Sequence, residues 1–370
     1  MAGITFRNID KIYGDGVAAV TDFSLEAGDR EFVVLAGPDG CGKSTVLRMA
    51  AGLEEITKGE LLIGGRPANG LAPRDRGVAM MSRNGALYPE MTVFDNLAFG
   101  LRLLGVPNDE IVRRVERTAR DLELSRILDR KPKAVSAGQR QRVLLGRAAV
   151  RSPKVLLLDE PFANLDAKLR ARMLSELSEL RGRLGAAILY ATSDQEEAMA
   201  AGDRVAVMKD GVIQQADPPR RLYDAPANRF VASFVGPAPM NFLHGTVERA
   251  AAGYVFRFGR YGIPIPDEKN RGDVLGRYAG REAVLGIRPE DIREAPESAG
   301  EEAAGAVEAE VELAERAGGE TRLSLNCGGV RLAARVGADS EAQPGGRIRA
   351  VFGLSRIHLF DKETEKAILN

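Results

Sequence analysis

An α/β layered domain followed by a smaller all-β domain is the architecture this sequence predicts. Three observations carry it. Up to about residue 235, short apolar runs alternate with stretches of helical periodicity, as strands and helices do in layered folds. Beyond that point, short alternating segments dominate, separated by glycine-containing turns. Between the two stands Gly236-Pro237-Ala238-Pro239, which breaks regular structure. The expected domains are therefore 1–235 and 236–370, as the length of 370 residues allows.

In the first part, Phe32–Ala36 is an apolar run that leads into a glycine-rich loop, and Lys43–Ala51 then reads as a helix. Ile111, Val112, Val115, Ala119 and Leu122 recur at helical spacing, as do Leu169, Met173, Leu177 and Leu180. Residues 155–158 and 187–191 read as buried strands of a parallel sheet, and residues 205–208 as a further strand. In the second part, residues 254–258, 283–287, 308–313, 322–325 and 347–351 read as strands of a small barrel or a sandwich. The Ala/Glu/Gly-rich stretch 294–309 reads as a solvated loop. No internal repeat stands out.

Composition narrows the function. Hydrophobic residues make up 44% and charged residues 28%, the balance of a soluble globular protein. Lys plus Arg equals Asp plus Glu, 52 each, so no basic excess points to nucleic acid. The apolar runs are too short to cross a bilayer, and the N-terminus MAGITFRNID lacks a signal-peptide layout. Any membrane role is then expected to be peripheral, through another subunit. With only Cys41 and Cys327, no structural disulfide and a reducing cytosol are expected.

The chemistry begins at Gly37-Pro38-Asp39-Gly40-Cys41-Gly42-Lys43-Ser44-Thr45, which fits a phosphate-binding loop. Glycines let backbone N–H groups converge on a phosphate, and the helix after the loop directs its positive end at the anion. Lys43 is the candidate for the β/γ-phosphates and Ser44 for Mg²⁺. Asp159 ends an apolar strand and is the second magnesium candidate; Glu160, next to it, is the candidate general base. The expected cofactors are ATP and Mg²⁺. Tyr13, in a turn-like Lys-Ile-Tyr-Gly segment, is either an adenine platform or plain packing.

Three further segments carry a resemblance. Ser136-Ala137-Gly138-Gln139, Asn164-Leu165-Asp166 and ALYPEMTV (86–93) resemble the signature loop, the D-loop and the permease-facing segment of ATP-binding cassette (ABC) ATPases. GPDGCGKST, DEPFANLDAKLR and DQEEAMAAGDRV are similar to the ATPases of carbohydrate importers of the maltose and glycerol-phosphate type. In the second part, PMNF (239–242), LGIRPED (285–291) and IHLFD (357–361) resemble landmarks of that branch's regulatory OB-like (TOBE-type) barrel. The resemblance implies a P-loop NTPase fold and a homodimer or heterodimer in which one chain's signature loop closes over the partner's nucleotide. Asn164, Leu165 and Asp166 would line the seam. It further implies membrane permease subunits, a solute-binding protein acting indirectly, and a place at the cytoplasmic face of the membrane.

Four positions depart from the family pattern. Asp39 replaces a small hydroxyl residue, and Ala137 replaces a glycine, at a cost of about 1 kcal/mol if that position needs a positive φ. Arg83 stands where the family has a glutamine that contacts Mg²⁺ and the attacking water; it is expected either on the γ-phosphate or turned out to solvent. Ser193 stands where the family has a γ-phosphate-sensing histidine. His244 and His358, the only histidines, read as surface or packing residues of the second domain. An importer ATPase is the first expectation. The alternatives are a cassette that binds ATP but hydrolyses it slowly, as a switch or a partner, and a soluble ABC protein without a transporter.

Overall fold

The structure is a computed structural model that describes residues 2–251, 253–270, 272–295 and 305–370. It divides into two compact units, Met1–Pro219 and Arg220–Asn370.

The first unit is built on a six-stranded sheet in the spatial order Val212–Asp217, Arg204–Lys209, Phe32–Ala36, Ala187–Thr192, Val155–Asp159, Val78–Met81. All neighbours pair in parallel except the antiparallel edge strand Val212–Asp217. Phe32–Ala36, Val155–Asp159 and Ala187–Thr192 are buried at every residue, because both faces of the sheet are covered, one of them in part by a second sheet. Continuous apolar runs, not alternation, are the result. The register matters for function. Met81 lies opposite Leu158, Asp159 opposite Ala191, and Ala36 opposite Thr192. The loops that begin at Gly37, Ser82, Glu160 and Ser193 therefore leave the same carboxyl edge, where sheets of this kind bind ligands.

A second, antiparallel sheet was not anticipated. Its order is Ala18–Gly28, Ala2–Ile12, Lys58–Ile63, Arg66–Pro67. Phe6, Phe23, Leu25 and Leu61 from it share one core with Val33, Leu47 and Leu157. The alternation of Phe23, Leu25 and Ala27 with exposed neighbours carries the signal for the first of these strands.

The second unit has two antiparallel sheets around one core that includes Leu243, Phe256, Leu285, Val307, Leu325 and Phe352. Each of the five expected strand segments lies within a strand. Of the stretch 294–309, Glu294 ends a strand and the strand Ala306–Ala317 begins its far end, so the solvated-loop reading fails at both ends; residues 296–304 lie outside the described residues.

Regular structure does pause at Gly236, between the helix Arg229–Phe234 and the strand Asn241–Ala250. The compact division falls earlier, because residues 220–235 pack with the β strands of the second unit. Ala232 is buried with Met240, Val284 and Phe360. Arg288, 1% exposed, donates to the Val235 carbonyl at 2.6 Å and the Tyr223 carbonyl at 3.0 Å, and its guanidinium lies 3.8 Å from the Tyr223 ring centre. Composition marks where β structure begins; side-chain packing decides where the unit begins.

Candidate active site

The phosphate loop is shaped by glycines. Gly37 has φ +157°, and a Cβ there would lie 2.3 Å from the Met208 carbonyl oxygen. Gly42 caps the helix Lys43–Ala51 with φ +102°, and a Cβ there would lie 2.6 Å from the Ala19 oxygen. No other residue fits either place without moving the backbone. Lys43 is 4% exposed, and its ammonium donates to the Gly37 and Pro38 carbonyls at 2.8 and 2.9 Å. That holds its charge over the loop it must serve. Asp39 and Gly40 are exposed at the crest, so the extra carboxylate of Asp39 has water around it. Burial raises the Cys41 thiol pKa against the opposing pull of Lys43, which keeps it an inert packing group.

Ser44 Oγ donates to Asp159 Oδ1 at 2.7 Å. A hydroxyl and a carboxylate oxygen in contact suit a hard cation that takes its other ligands from water and phosphate, as Mg²⁺ does. Among the described residues there is no cluster of three or more His, Cys, Asp or Glu that would make a closed protein cage.

Glu160 adopts φ +43°, unusual for a residue with a side chain, while its N–H bonds the Ala191 carbonyl at 3.0 Å. The turn puts its carboxylate into a cavity of 370 Å³ lined by Arg83, Ala163, Arg170, Thr192, Ser193, Asp194 and Glu197. Arg83 is neither free in solvent nor without an acidic partner: its Nη1 lies 2.9 Å from Glu160 Oε2. Ser193 is exposed on the cavity wall, at the end of its strand.

A network behind Ser193 fixes that wall, and no motif in the sequence assigned it a role. Glu197 accepts from Tyr190 OH and Thr192 Oγ1, both at 2.7 Å. Asp194 accepts from two helix N–H groups, and Arg170 Nη1 donates to it at 3.0 Å. Burial, reinforced by Glu197, raises the Tyr190 phenol pKa far above its ordinary value, so Tyr190 keeps the proton it donates to Glu197. Arg170 and Glu197 both fall inside the motif segments DEPFANLDAKLR and DQEEAMAAGDRV; that position was the available signal.

The other expected residues lie around this edge or beyond it. Tyr13 ends the first strand in a turn closed by its N–H on the Val17 carbonyl, with Lys11 Nζ 4.8 Å from its ring centre. That turn feeds the strand whose Ala19 lies against Gly42. Ser136 caps the helix Ala137–Ala149 in a reciprocal box with Gln139. Ala137 is the first helical residue and has no positive φ, so the conditional penalty for a missing glycine does not apply. No hydrogen bond or ion pair joins Ser136, Ala137, Gly138 or Gln139 to the phosphate loop among the described residues. Asn164 is exposed, Leu165 is buried, and Asp166 caps the helix Ala167–Leu184. Asn96, fully buried, holds residues 88–92 by bonds to the backbone of Tyr88, Met91 and Thr92. His244 is exposed; His358 is buried, its pKa pushed down to about 4 mainly by burial.

A phosphate loop, a hydroxyl–carboxylate pair and an adjoining acid at the carboxyl edge of a mostly parallel sheet define a P-loop ATPase. Comparison with known proteins sharpens this. Residues 20–163 match the ABC transporter family model, residues 239–292 the MalK OB fold domain and residues 285–360 the TOBE domain. The chain is 47% identical to the trehalose/maltose import ATP-binding protein MalK of Thermococcus litoralis and 44% identical to the oligosaccharides import ATP-binding protein MsmX of Bacillus subtilis, over 100% of both chains in each case. Among solved structures, CbiO1 of Clostridium perfringens, part of the ABC transporter complex CbiONQ, matches with a TM-score of 0.56 at 26% identity, covering 60% of this chain and 90% of that one. An ATP-binding cassette in a dimeric post-hydrolysis state with ADP and Pi matches with a TM-score of 0.52 at 28% identity, covering 59% and 99%. This chain belongs to the ATP-binding proteins of the ABC transporter family, with a MalK-type OB/TOBE second domain.

Proposed function

We propose that this protein is the ATP-hydrolysing subunit of an importer for a carbohydrate or related solute. It works as a dimer with integral membrane permease subunits, at the cytoplasmic face of the membrane. The observation that carries the reading is end-to-end similarity to two carbohydrate import ATP-binding proteins, with the Ser44–Asp159–Glu160 arrangement intact. Among the described residues, no helix is long and apolar enough to cross a membrane, so contact with a permease would run through surfaces such as residues 86–93. The slow-switch alternative finds no support among these relatives.

Each residue has a defined task. Lys43 and the loop N–H groups bind the phosphates. Ser44 and Asp159 hold Mg²⁺, which when bound neutralises phosphate charge. Glu160 orients a water and takes its proton, a contribution of the order of 10²–10⁴ in rate. The network of Arg170, Asp194, Glu197 and Thr192 keeps the opposite wall rigid. Ser136, Ala137, Gly138 and Gln139 serve the nucleotide of the second copy, and Asn164, Leu165 and Asp166 line the seam. Tyr13 is the base-stacking residue.

The test is to purify the chain with its permease subunits in vesicles and measure Mg²⁺-dependent ATP turnover and uptake of maltose, trehalose and longer oligosaccharides. Uptake that requires ATP and vanishes with Glu160→Gln is expected. Turnover without coupling to any permease would overturn the importer reading.

A further inference from the structure

Arg83 and Glu160 form an ion pair between unequal partners. The Glu160 side chain is 11% exposed, and its backbone is fixed in a left-handed turn by the bond to Ala191. The Arg83 side chain is 54% exposed and leaves the sheet edge on a loop. If one partner moves, it is the arginine. The pair has a geometric consequence as well: with Arg83 Nη1 2.9 Å away, Glu160 Oε2 is occupied by the guanidinium. A guanidinium has no acceptor atom and does not deprotonate, so Arg83 can serve neither as a metal ligand nor as a base. Its options are anions, and it already holds one.

A terminal phosphate would be a stronger one. It carries more charge than a carboxylate and accepts a bidentate fork. The existing pair is half-exposed at its arginine end, and such pairs are weak. The cavity that contains both side chains has 370 Å³ of open space, bounded on one side by the short side chain of Ser193. The guanidinium has room to turn there.

We propose that Arg83 is a nucleotide-sensing switch that restrains the base: it holds Glu160 until a γ-phosphate enters, then transfers to the phosphate and frees the carboxylate. The transfer breaks one ion pair and forms another, with no proton or covalent bond exchanged. ADP lacks the group that draws Arg83 away and leaves Glu160 restrained. This rests on the assignment of Glu160 as base and of the phosphate loop as the ATP site.

The experiment is a double-mutant cycle in binding, free of turnover. The β,γ-imido analogue of ATP and, separately, ADP are titrated with Mg²⁺ into the full-length protein and into Arg83→Met, Glu160→Gln and the double variant, at fixed ionic strength. Arg83→Met is expected to weaken the analogue on the order of tenfold and to leave ADP within about twofold. Glu160→Gln is expected to tighten the analogue about threefold more when Arg83 is present than when it is replaced, because only then is a restraint released. Arg83→Lys, which keeps the charge but not the fork, should recover part of the lost affinity. A zero or opposite coupling means that Arg83 stays on Glu160 and overturns the switch, as does an equal loss for ADP. If ADP fails to bind the unaltered protein, the nucleotide-site reading falls as well, so the two failures are distinguishable.

Discussion

Arg83 in the first unit and Arg288 in the second both lie beside acidic groups, yet they are held in opposite ways. Arg83 has one carboxylate partner, half its side chain in solvent and an open cavity beside it. Arg288 is almost fully buried, bonded to two backbone carbonyls and stacked on Tyr223, whose hydroxyl donates to Glu290. Burial lowers the Arg288 pKa, and its bonds to carbonyl oxygens are what make the buried charge tolerable. A charge meant to meet a ligand is left exchangeable; a charge meant to join chain segments is given partners it never leaves. The same contrast separates the nucleotide edge, with its strained Glu160, from the places in the second unit where Arg288 and His358 are absorbed into packing.

Four changes would break or sharpen this comparison. The largest effect is expected at the nucleotide edge: Glu160→Gln should slow single-turnover hydrolysis on the order of a hundred- to ten-thousandfold, with ADP affinity kept. A loss below tenfold would mean that Glu160 is not the base. Arg288→Met should come next, in stability and not in chemistry. It strands the Val235 and Tyr223 carbonyls, and the second unit should lose about 4 kcal/mol by denaturant unfolding. Unchanged unfolding would show that Arg288 does not hold these chain segments together.

The third test uses pH. His358 is 5% exposed and its pKa falls from 6.5 to about 4 in the folded protein. Between those values the unfolded chain takes up a proton that the folded chain refuses. Stability from this group is therefore complete above pH 6.5 and is lost as pH falls towards 4, by about 3 kcal/mol in all. His358→Gln should flatten that part of the pH–stability curve relative to the unaltered protein; parallel curves would show that His358 does not set the slope. The smallest effect belongs to Ala137→Gly. Because Ala137 is helical, the glycine should cost up to about 1 kcal/mol in thermal unfolding and bring no gain in hydrolysis. A gain in rate would show that the signature loop needs backbone freedom after all.

The regions differ also in how far the sequence alone discloses them. The phosphate loop, Asp159 and Glu160 lie in two short segments of the chain, and the roles proposed for them rest on backbone shape and strand ends. The buried strands of the parallel sheet announce themselves as unbroken apolar runs, and the five expected strands of the second unit by alternation. The N-terminal antiparallel sheet was passed over because its alternation is interrupted; register shifts near Phe6 and Ile9 break the period. The compact division at Arg220 is not legible in the sequence because residues 220–235 hold helices, like much of the first unit, and only the burial of Ala232 against Val284 and Phe360 assigns them to the second.

The amino-acid sequence by itself determined the order of the two kinds of architecture, the candidate phosphate loop, the candidate metal-holding residues and the family to which they belong, because each is carried by short runs of residues. Tertiary structure decided three other matters. Arg83 meets Glu160 across 77 positions (160 − 83), since parallel register brings Met81 and Leu158 side by side. Arg170 and Glu197 brace the wall behind Ser193 from two different helices. Ala137 pays no positive-φ penalty because its backbone is already helical. Each of these depends on where a side chain or a backbone angle lies in space, and no spacing along the chain encodes that.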